Sequence, residues 1–221
     1  MTNMLGLLPF VMGASLGTQS SDLPKGAIVL FDGKDASAWV QNSNRAPCEW
    51  DVKDGCLIVK AGKSEIVTKQ QFGDYRLHLE FWLPLMADQK DQGRANSGVY
   101  NQGRYEIQIL DMYKNTTYQY GGCGAIYGQK DPDMDAIKPP EEWNSYDILF
   151  KAPRFDKAGK LTAKPRITVF HNGLRIHNDV EIDKESTAGV PTGPRPARGP
   201  ILLQNHGALV RFRNIWIVPL S

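Results

Sequence analysis

One short stretch, at residues 105–111, carries polar side chains whose types and spacing could do chemistry. Its first five residues alternate apolar with polar, and the side chains of a β-strand point to opposite faces with a period of two. Glu106 and Gln108 therefore share one face of a predicted strand. The period then slips, and a β-bulge after Gln108 would return Asp111 to that face, as bulges beside active sites do. We predict that Glu106, Gln108 and Asp111 form the centre of a site for proton transfer, since carboxyl groups can act as acids or bases.

A second candidate for proton transfer is His206. Leu202, Gln204 and His206 share a face if residues 200–206 form a strand. Imidazole titrates near neutral pH, so His206 could act as an acid, a base or a metal ligand. A structural histidine that is bonded to a turn carbonyl is an equally good interpretation.

The only cofactor that the sequence suggests is a divalent metal ion. His78 and Glu80 share a face of a strongly alternating strand and, together with Glu106, could form a mixed carboxylate–imidazole site. A solvated outer face is the more ordinary interpretation of His78 and Glu80, because charged side chains are mostly exposed.

The composition is that of one well-buried domain. The chain has 221 residues, of which 41% are hydrophobic, and this length suits a single β-sandwich. A net charge of +2, from 26 basic and 24 acidic residues, gives no reason to expect nucleic acid or an anionic membrane surface as a partner. No apolar run reaches the length of a membrane-spanning helix.

The first residues differ in character from the rest. Residues 4–16 are mostly apolar and are followed by small and polar residues, which resembles the apolar region of a secretory signal peptide without its usual positive start. We predict a signal peptide or disordered leader over residues 1–22, an exported protein, and one β-sandwich domain over residues 23–221.

The three cysteines give no sign of a disulfide or a metal site. Cys48 and Cys56 flank a predicted hairpin in a register that would not place them opposite one another. Cys123 lies in a glycine-rich segment and is interpreted as a small buried thiol. None has the spacing of metal ligands.

Short alternating runs separated by turn signals extend along most of the chain. The strongest lies at residues 74–83, Asn172-Gly173 marks a hairpin, and Asn96-Ser97-Gly98 reads as a turn before a short strand. Residues 112–142 form a long loop, which is uncommon and often functional. About ten such runs without a helical period predict an all-β sandwich of two antiparallel sheets.

Taken in order, the runs resemble the 3-keto-disaccharide hydrolase family, a domain long catalogued as of unknown function. The resemblance covers nearly everything from Ala27 to Leu220 and rests on an ordered set of motifs: LFDGKDASAW, EWDVKDGCLIV, FGDYRLHLEF, ANSGVY, YEIQILD, GAIYG, WNSYDI, VFHNG and GPILLQNHGALVRFRNIWI. It implies a concanavalin A-like jelly-roll sandwich, usually exported, that acts on a small carbohydrate substrate. Some members of the family are described as lyases rather than hydrolases.

This resemblance implies cleavage of the glycosidic bond of 3-keto-glycosides. A 3-keto group acidifies the proton at C2, so a base there gives an enolate, and the oxygen on C1 can leave by elimination. Addition of water to the resulting enone completes a net hydrolysis. Glu106 is the candidate base, and His206 is a candidate acid.

A more distant likeness concerns the motif YEIQILD. Its Glu106, Gln108 and Asp111 are spaced like the nucleophile, helper and acid/base of family 16 glycoside hydrolases, which share the sandwich architecture. That motif has an acidic residue where this chain has Gln108, and a second Glu where it has Asp111. Retaining glycosidases need two carboxyl groups about 5 Å apart, and Asp is one methylene shorter than Glu.

Five other side chains are predicted to contact the sugar. Amides supply paired hydrogen bonds, and tyrosines offer an apolar ring with a polar tip. For one of them, Tyr100, a role in the core is an equal alternative. The predicted sugar contacts are Gln108, Asn96, Gln204, Tyr127 and Tyr100.

A different class of function stays open at this point. The same sandwich serves non-catalytic carbohydrate-binding, lectin-like modules, because a fold does not by itself determine function. Turnover of a 3-keto-glycoside distinguishes the two.

Overall fold

The computed structural model describes residues 23–187 and 193–220. The predicted leader at residues 1–22 lies outside the described residues.

Short strands make up nearly all the regular structure of these residues. The exception is one turn of 3₁₀ helix at Asp91–Gly93. The strands are β1 (Ile28–Phe31), β2 (Trp39–Gln41), β3 (Asp51–Lys53), β4 (Cys56–Ile58), β5 (Ile66–Thr68), β6 (Tyr75–Trp82), β7 (Asn96–Asn101), β8 (Tyr105–Leu110), β9 (Trp143–Lys151), β10 (Arg154–Phe155), β11 (Leu161–Ala163), β12 (Arg166–His171), β13 (Leu174–Glu181), β14 (Leu202–Leu203) and β15 (Arg211–Pro219).

Two antiparallel sheets pack face to face. The larger is eight-stranded, in the order β13-β12-β9-β6-β15-β4-β3, with β1 also paired to β15. The smaller is five-stranded, in the order β2-β5-β14-β7-β8. This arrangement confirms the predicted jelly-roll sandwich.

The core lies between the sheets because their strands alternate. In β6 the apolar residues Leu77, Leu79 and Phe81 are fully buried, while the residues between them face outward. Ile107 and Ile109 of β8 belong to the same apolar cluster. Glu106 and Gln108 therefore stand on the outer face of the five-stranded sheet.

Two local predictions about this sheet are wrong. Asn96, Ser97 and Gly98 are not a turn but the first half of β7, where they pair with β8. The pairing of the two strands runs without a register shift as far as Leu110, so the predicted bulge after Gln108 is absent. In the larger sheet, the register of β15 against β6 shifts between Arg213 and Trp216.

The long 112–142 loop covers the outer edge of β8. Its residues 124–127 run alongside the strand, where Gln108 N donates to the Ala125 carbonyl at 3.0 Å and Tyr127 N donates to the Glu106 carbonyl at 3.2 Å. Thr187 completes this edge by accepting a hydrogen bond from Glu106 N at 2.7 Å. The loop is therefore fixed to the strand that carries the candidate site residues.

The structure also bears on membrane-spanning helices and on the three cysteines. No helix of the residues described here is long and apolar enough to cross a bilayer. Cys48, Cys56 and Cys123 are all unpaired thiols.

Candidate active site

A cavity of about 140 Å³ opens on the outer face of the five-stranded sheet. It holds all of the predicted catalytic and sugar-contacting residues except Asp111, and it adds Gln92, which no pattern in the sequence indicates. The lining residues are Gln92, Asn96, Tyr100, Glu106, Gln108, Tyr127, Gln204 and His206.

The strand register brings these residues together. Tyr100 on β7 lies opposite Glu106 on β8, and Gly98 lies opposite Gln108. On the other side of β7 the chain continues past β14, where Gln204 N donates to the Gly98 carbonyl at 3.0 Å. The polar side chains of β7, β8 and the segment after β14 therefore point into one space.

Glu106 is the buried carboxyl group of this cavity, with 2% of the residue exposed. Burial disfavours the charged form and raises the pKa of Glu106 to about 8, and a hydrogen bond from Tyr100 lowers it in part. The same neighbourhood raises the pKa of Tyr100 far above its ordinary value, through burial first and the nearby carboxylate second. A carboxyl group with a pKa near working pH suits proton transfer in either direction.

Gly98 makes room for this carboxyl group. An ideal Cβ on Gly98 would overlap Oε1 of Glu106 and lie 3.0 Å from its carboxyl carbon. A glycine inside a strand often marks such a close approach. The absence of a side chain at Gly98 therefore leaves the space that the Glu106 carboxyl group occupies.

Gln108 is held in place by the loop and by Gln92. Its Nε2 donates to Gln92 Oε1 at 3.1 Å, and its Oε1 accepts a hydrogen bond from Ile109 N at 3.1 Å. Gln92 Oε1 also accepts from Asn96 Nδ2 at 3.0 Å, while Gln92 Nε2 donates to Thr117 Oγ1 at 2.7 Å. Gln92 thereby joins the two strands to the 112–142 loop, which no short-range sequence pattern could indicate.

Gln204 offers an unused hydrogen-bonding atom. Its Nε2 donates to the Tyr100 hydroxyl at 3.0 Å, whereas its buried Oε1 has no partner among the described residues. A buried polar atom without a partner is costly unless a ligand or water pairs with it. A sugar hydroxyl is the kind of donor that would complete this amide.

Two tyrosines of the 112–142 loop stand beside the cavity. Tyr127 lines it, and its hydroxyl is hydrogen-bonded to that of Tyr118. Burial, together with Tyr118 and the nearby Glu106, raises the pKa of Tyr127 above its ordinary value. Tyr127 therefore remains a neutral donor in the working pH range.

His206 lines the cavity at an exposed position. Its side chain is therefore accessible to solvent beside the cavity that contains Glu106.

Asp111 does not join the site. It is fully buried beyond the end of β8, its Oδ2 lies 3.2 Å from Arg94 Nε, and its Oδ1 accepts a hydrogen bond from Tyr113 N at 3.0 Å. Because the predicted bulge is absent, nothing turns Asp111 toward Glu106. Asp111 is therefore a structural residue that pairs with Arg94.

His78, Glu80 and Glu106 do not come together as a mixed metal site, and the outer-face interpretation of His78 and Glu80 is the one that the structure supports. His78 and Glu80 stand on the outer face of the eight-stranded sheet, on the opposite side of the core from Glu106. His78 Nδ1 lies 3.2 Å from Asp147 Oδ1, and the two carboxylates beside it raise the pKa of His78 to about 9. No cluster of three potential metal ligands occurs within residues 23–187 and 193–220.

Solved structures share this architecture. A candidate glycosyl hydrolase from Parabacteroides distasonis ATCC 8503 is 43% identical, with a TM-score of 0.82 over 89% of this chain and 84% of that chain. Another from the same organism is 27% identical, with a TM-score of 0.60 over 88% of this chain and 99% of that one. The alginate lyase Aly36B, 11% identical with a TM-score of 0.50 over 89% of this chain and 98% of that chain, shares the fold. No protein with a curated description matches the chain.

The likeness to candidate glycosyl hydrolases, together with a polar cavity around a buried carboxyl group, supports a carbohydrate-active enzyme. The match to a family model is more specific and spans residues 26–218. The chain belongs to the family of the 3-keto-α-glucoside-1,2-lyase-like domain.

Proposed function

We propose that this protein cleaves the glycosidic bond of 3-keto-glycosides, with Glu106 as the base that removes the proton at C2. The observation that carries the proposal is the buried carboxyl group of Glu106, which lines a cavity together with amides and hydroxyls. Its pKa of about 8 matches the abstraction of a carbon acid near neutral pH better than an ordinary carboxylate would.

The neighbouring donors suit the charge that develops on the 3-keto oxygen. When the C2–H bond breaks, its electron pair moves into the C2–C3 bond, and negative charge appears on that oxygen. The Tyr127 hydroxyl lines the same cavity and can donate to this oxygen, while the Tyr118 hydroxyl donates to Tyr127 in turn. Fixed donors of this kind need little reorganisation during the reaction.

Departure of the leaving group completes the elimination. The enolate re-forms the ketone, a double bond forms between C1 and C2, and the C1–O bond breaks. The leaving oxygen takes a proton, for which the exposed imidazole of His206 is the candidate donor. Release at this stage is a lyase reaction, whereas addition of water to the enone gives net hydrolysis.

The test is turnover of a synthetic 3-keto-glucoside by the protein and its Glu106→Gln variant. Gln keeps the size of the side chain but cannot accept the proton, so we expect a loss of kcat of about 100-fold or more. The matched control is Glu80→Gln, which removes a partly buried carboxylate on the other side of the core and should leave kcat near that of the unmodified protein.

Mass spectrometry of the products separates the outcomes. A dehydrated sugar product shows elimination, and a free 3-keto sugar shows net hydrolysis. Full activity of Glu106→Gln would refute the assignment of the base. Binding of the 3-keto-glucoside without any product would refute the enzymatic proposal and favour a lectin-like module.

A further inference from the structure

The size of the cavity limits how much of a glycoside it can hold. Its volume is about 140 Å³, well below the ~300–1,000 Å³ of pockets that enclose drug-sized ligands. It suits one sugar ring. The group attached through the C1 oxygen must therefore lie outside the cavity, against whatever surface borders the opening.

Tyr118 provides such a surface. The residue is 51% exposed, yet its hydroxyl is hydrogen-bonded to that of Tyr127, which lines the cavity. The two rings meet edge to face, with centroids 6.3 Å apart and an interplanar angle of 83°. An exposed aromatic ring is thus fixed at the border of the site.

A second contact holds the Tyr118 ring. The ring packs on Gly121, where an added Cβ would lie 2.5 Å from Cε2 of the ring. The Gly121 carbonyl in turn accepts hydrogen bonds from Gln92 Nε2 at 2.9 Å and from Gln108 Nε2 at 3.4 Å. The ring is therefore held by the same scaffold that positions two amides of the cavity.

A ring that is exposed and already ordered loses little conformational entropy when a ligand packs on it. Its apolar face suits the C–H face of a sugar or the face of an aryl group. Tyr113, the other exposed tyrosine nearby in the sequence, differs because Lys114 Nζ stands over its ring at 5.3 Å.

We propose that Tyr118 is the platform for the leaving group, and that the preferred substrates carry a ring, a second sugar or an aryl group, on the C1 oxygen. This inference rests on the proposed function, since it assigns the second half of the same substrate. It makes Tyr118 a specificity-determining residue of the reaction.

The test compares two substrates, a 3-keto-disaccharide and methyl 3-keto-glucoside. We divide kcat/KM for the disaccharide by kcat/KM for methyl 3-keto-glucoside. This ratio should fall about threefold to tenfold in Tyr118→Ala, mainly through a higher KM for the disaccharide. Tyr118→Phe keeps the ring and should keep the ratio. Gly121→Ala, which displaces the ring, should lower the ratio as Tyr118→Ala does. Tyr113→Ala is the matched control and should change neither kcat/KM value.

The failures of the two proposals look different. If the unmodified protein turns over both substrates and Tyr118→Ala lowers both values equally, the platform is refuted while the proposed function stands. If the unmodified protein turns over neither substrate, the proposed function is refuted and the platform with it. A thermal unfolding midpoint for each variant shows whether a loss reflects unfolding.

Discussion

A Cβ atom added to Gly98 would lie 3.0 Å from the carboxyl carbon of Glu106. We therefore expect Gly98→Ala to push this carboxyl group out of its position and to lower kcat/KM for a 3-keto-glucoside about 100-fold, as displacements of about 1 Å at an active site can do. Steady-state kinetics measures the loss.

Gly73→Ala is the control for this substitution. The nearest atom to a Cβ there is the Arg198 Nη1 at 3.6 Å, an ordinary contact. Kinetics of Gly73→Ala should match those of the unmodified protein. Normal activity of Gly98→Ala would show that the position of the Glu106 carboxyl is not critical.

The raised pKa of Glu106 predicts a pH dependence of activity. The carboxylate is the form that removes a proton, and with a pKa of about 8 it is the minor form at pH 7. We expect kcat/KM to increase with pH and to level off above about pH 8. A profile measured on the free enzyme that stays flat between about pH 6 and 9 would contradict the role of Glu106 as the base.

The same group predicts a pH dependence of stability. The folded protein binds this proton more tightly than the unfolded chain, because the pKa of Glu106 rises from 4.5 to about 8 on folding. The contribution to stability is therefore complete below about pH 4.5 and decreases as the pH rises toward 8, by an amount on the order of a few kcal/mol. Glu106→Gln stays neutral at every pH, so this decrease should be absent from its urea unfolding curves. Parallel pH profiles for the two proteins would contradict the raised pKa.

Asp111 is expected to matter for stability and not for chemistry. Its buried carboxylate pairs with the half-buried Arg94, and neither residue lines the cavity. Asp111→Asn removes the charge that faces Arg94, but the guanidinium of Arg94 keeps the Tyr113 carbonyl as an acceptor, so the cost is that of one charge-assisted hydrogen bond, ~1–3 kcal/mol. We expect Asp111→Asn to lower the free energy of unfolding by about that amount while kcat/KM stays close to normal.

A double variant serves as the control for this ion pair. Asp111→Asn combined with Arg94→Met removes both charges and should be less destabilised than the sum of the two single changes. A large loss of kcat in a folded Asp111→Asn protein would contradict this prediction and show that Asp111 takes part in the chemistry.

The sequence was most informative where a strand has two different faces. Glu106 and Gln108 alternate with buried apolar residues, and this pattern predicts both the strand and the face on which the site lies. Gln204 and His206 were predicted from a strand over residues 200–206, but β14 ends at Leu203, and the two residues line the cavity from the segment that follows it.

The errors arose where local residue preferences and the fold disagree. Asn96, Ser97 and Gly98 are residues typical of turns, yet pairing with β8 on one side and the chain after β14 on the other makes them a strand. The position of Asp111 was inferred from an assumed bulge that the register does not contain. Gln92 reaches Gln108 and Thr117 through contacts that join segments distant in the sequence, so no local pattern could reveal its place in the site.

The hydrogen bonds along the outer edge of β8 have a consequence for solubility. An uncovered edge strand offers unpaired N–H and C=O groups to which another molecule can add a strand. Here the backbone of Glu106 and Gln108 is already bonded to Thr187 and to residues 124–127. The loop that brings Tyr127 to the cavity therefore also blocks edge-to-edge aggregation, and a homologue with a shorter loop would need another way to protect this strand.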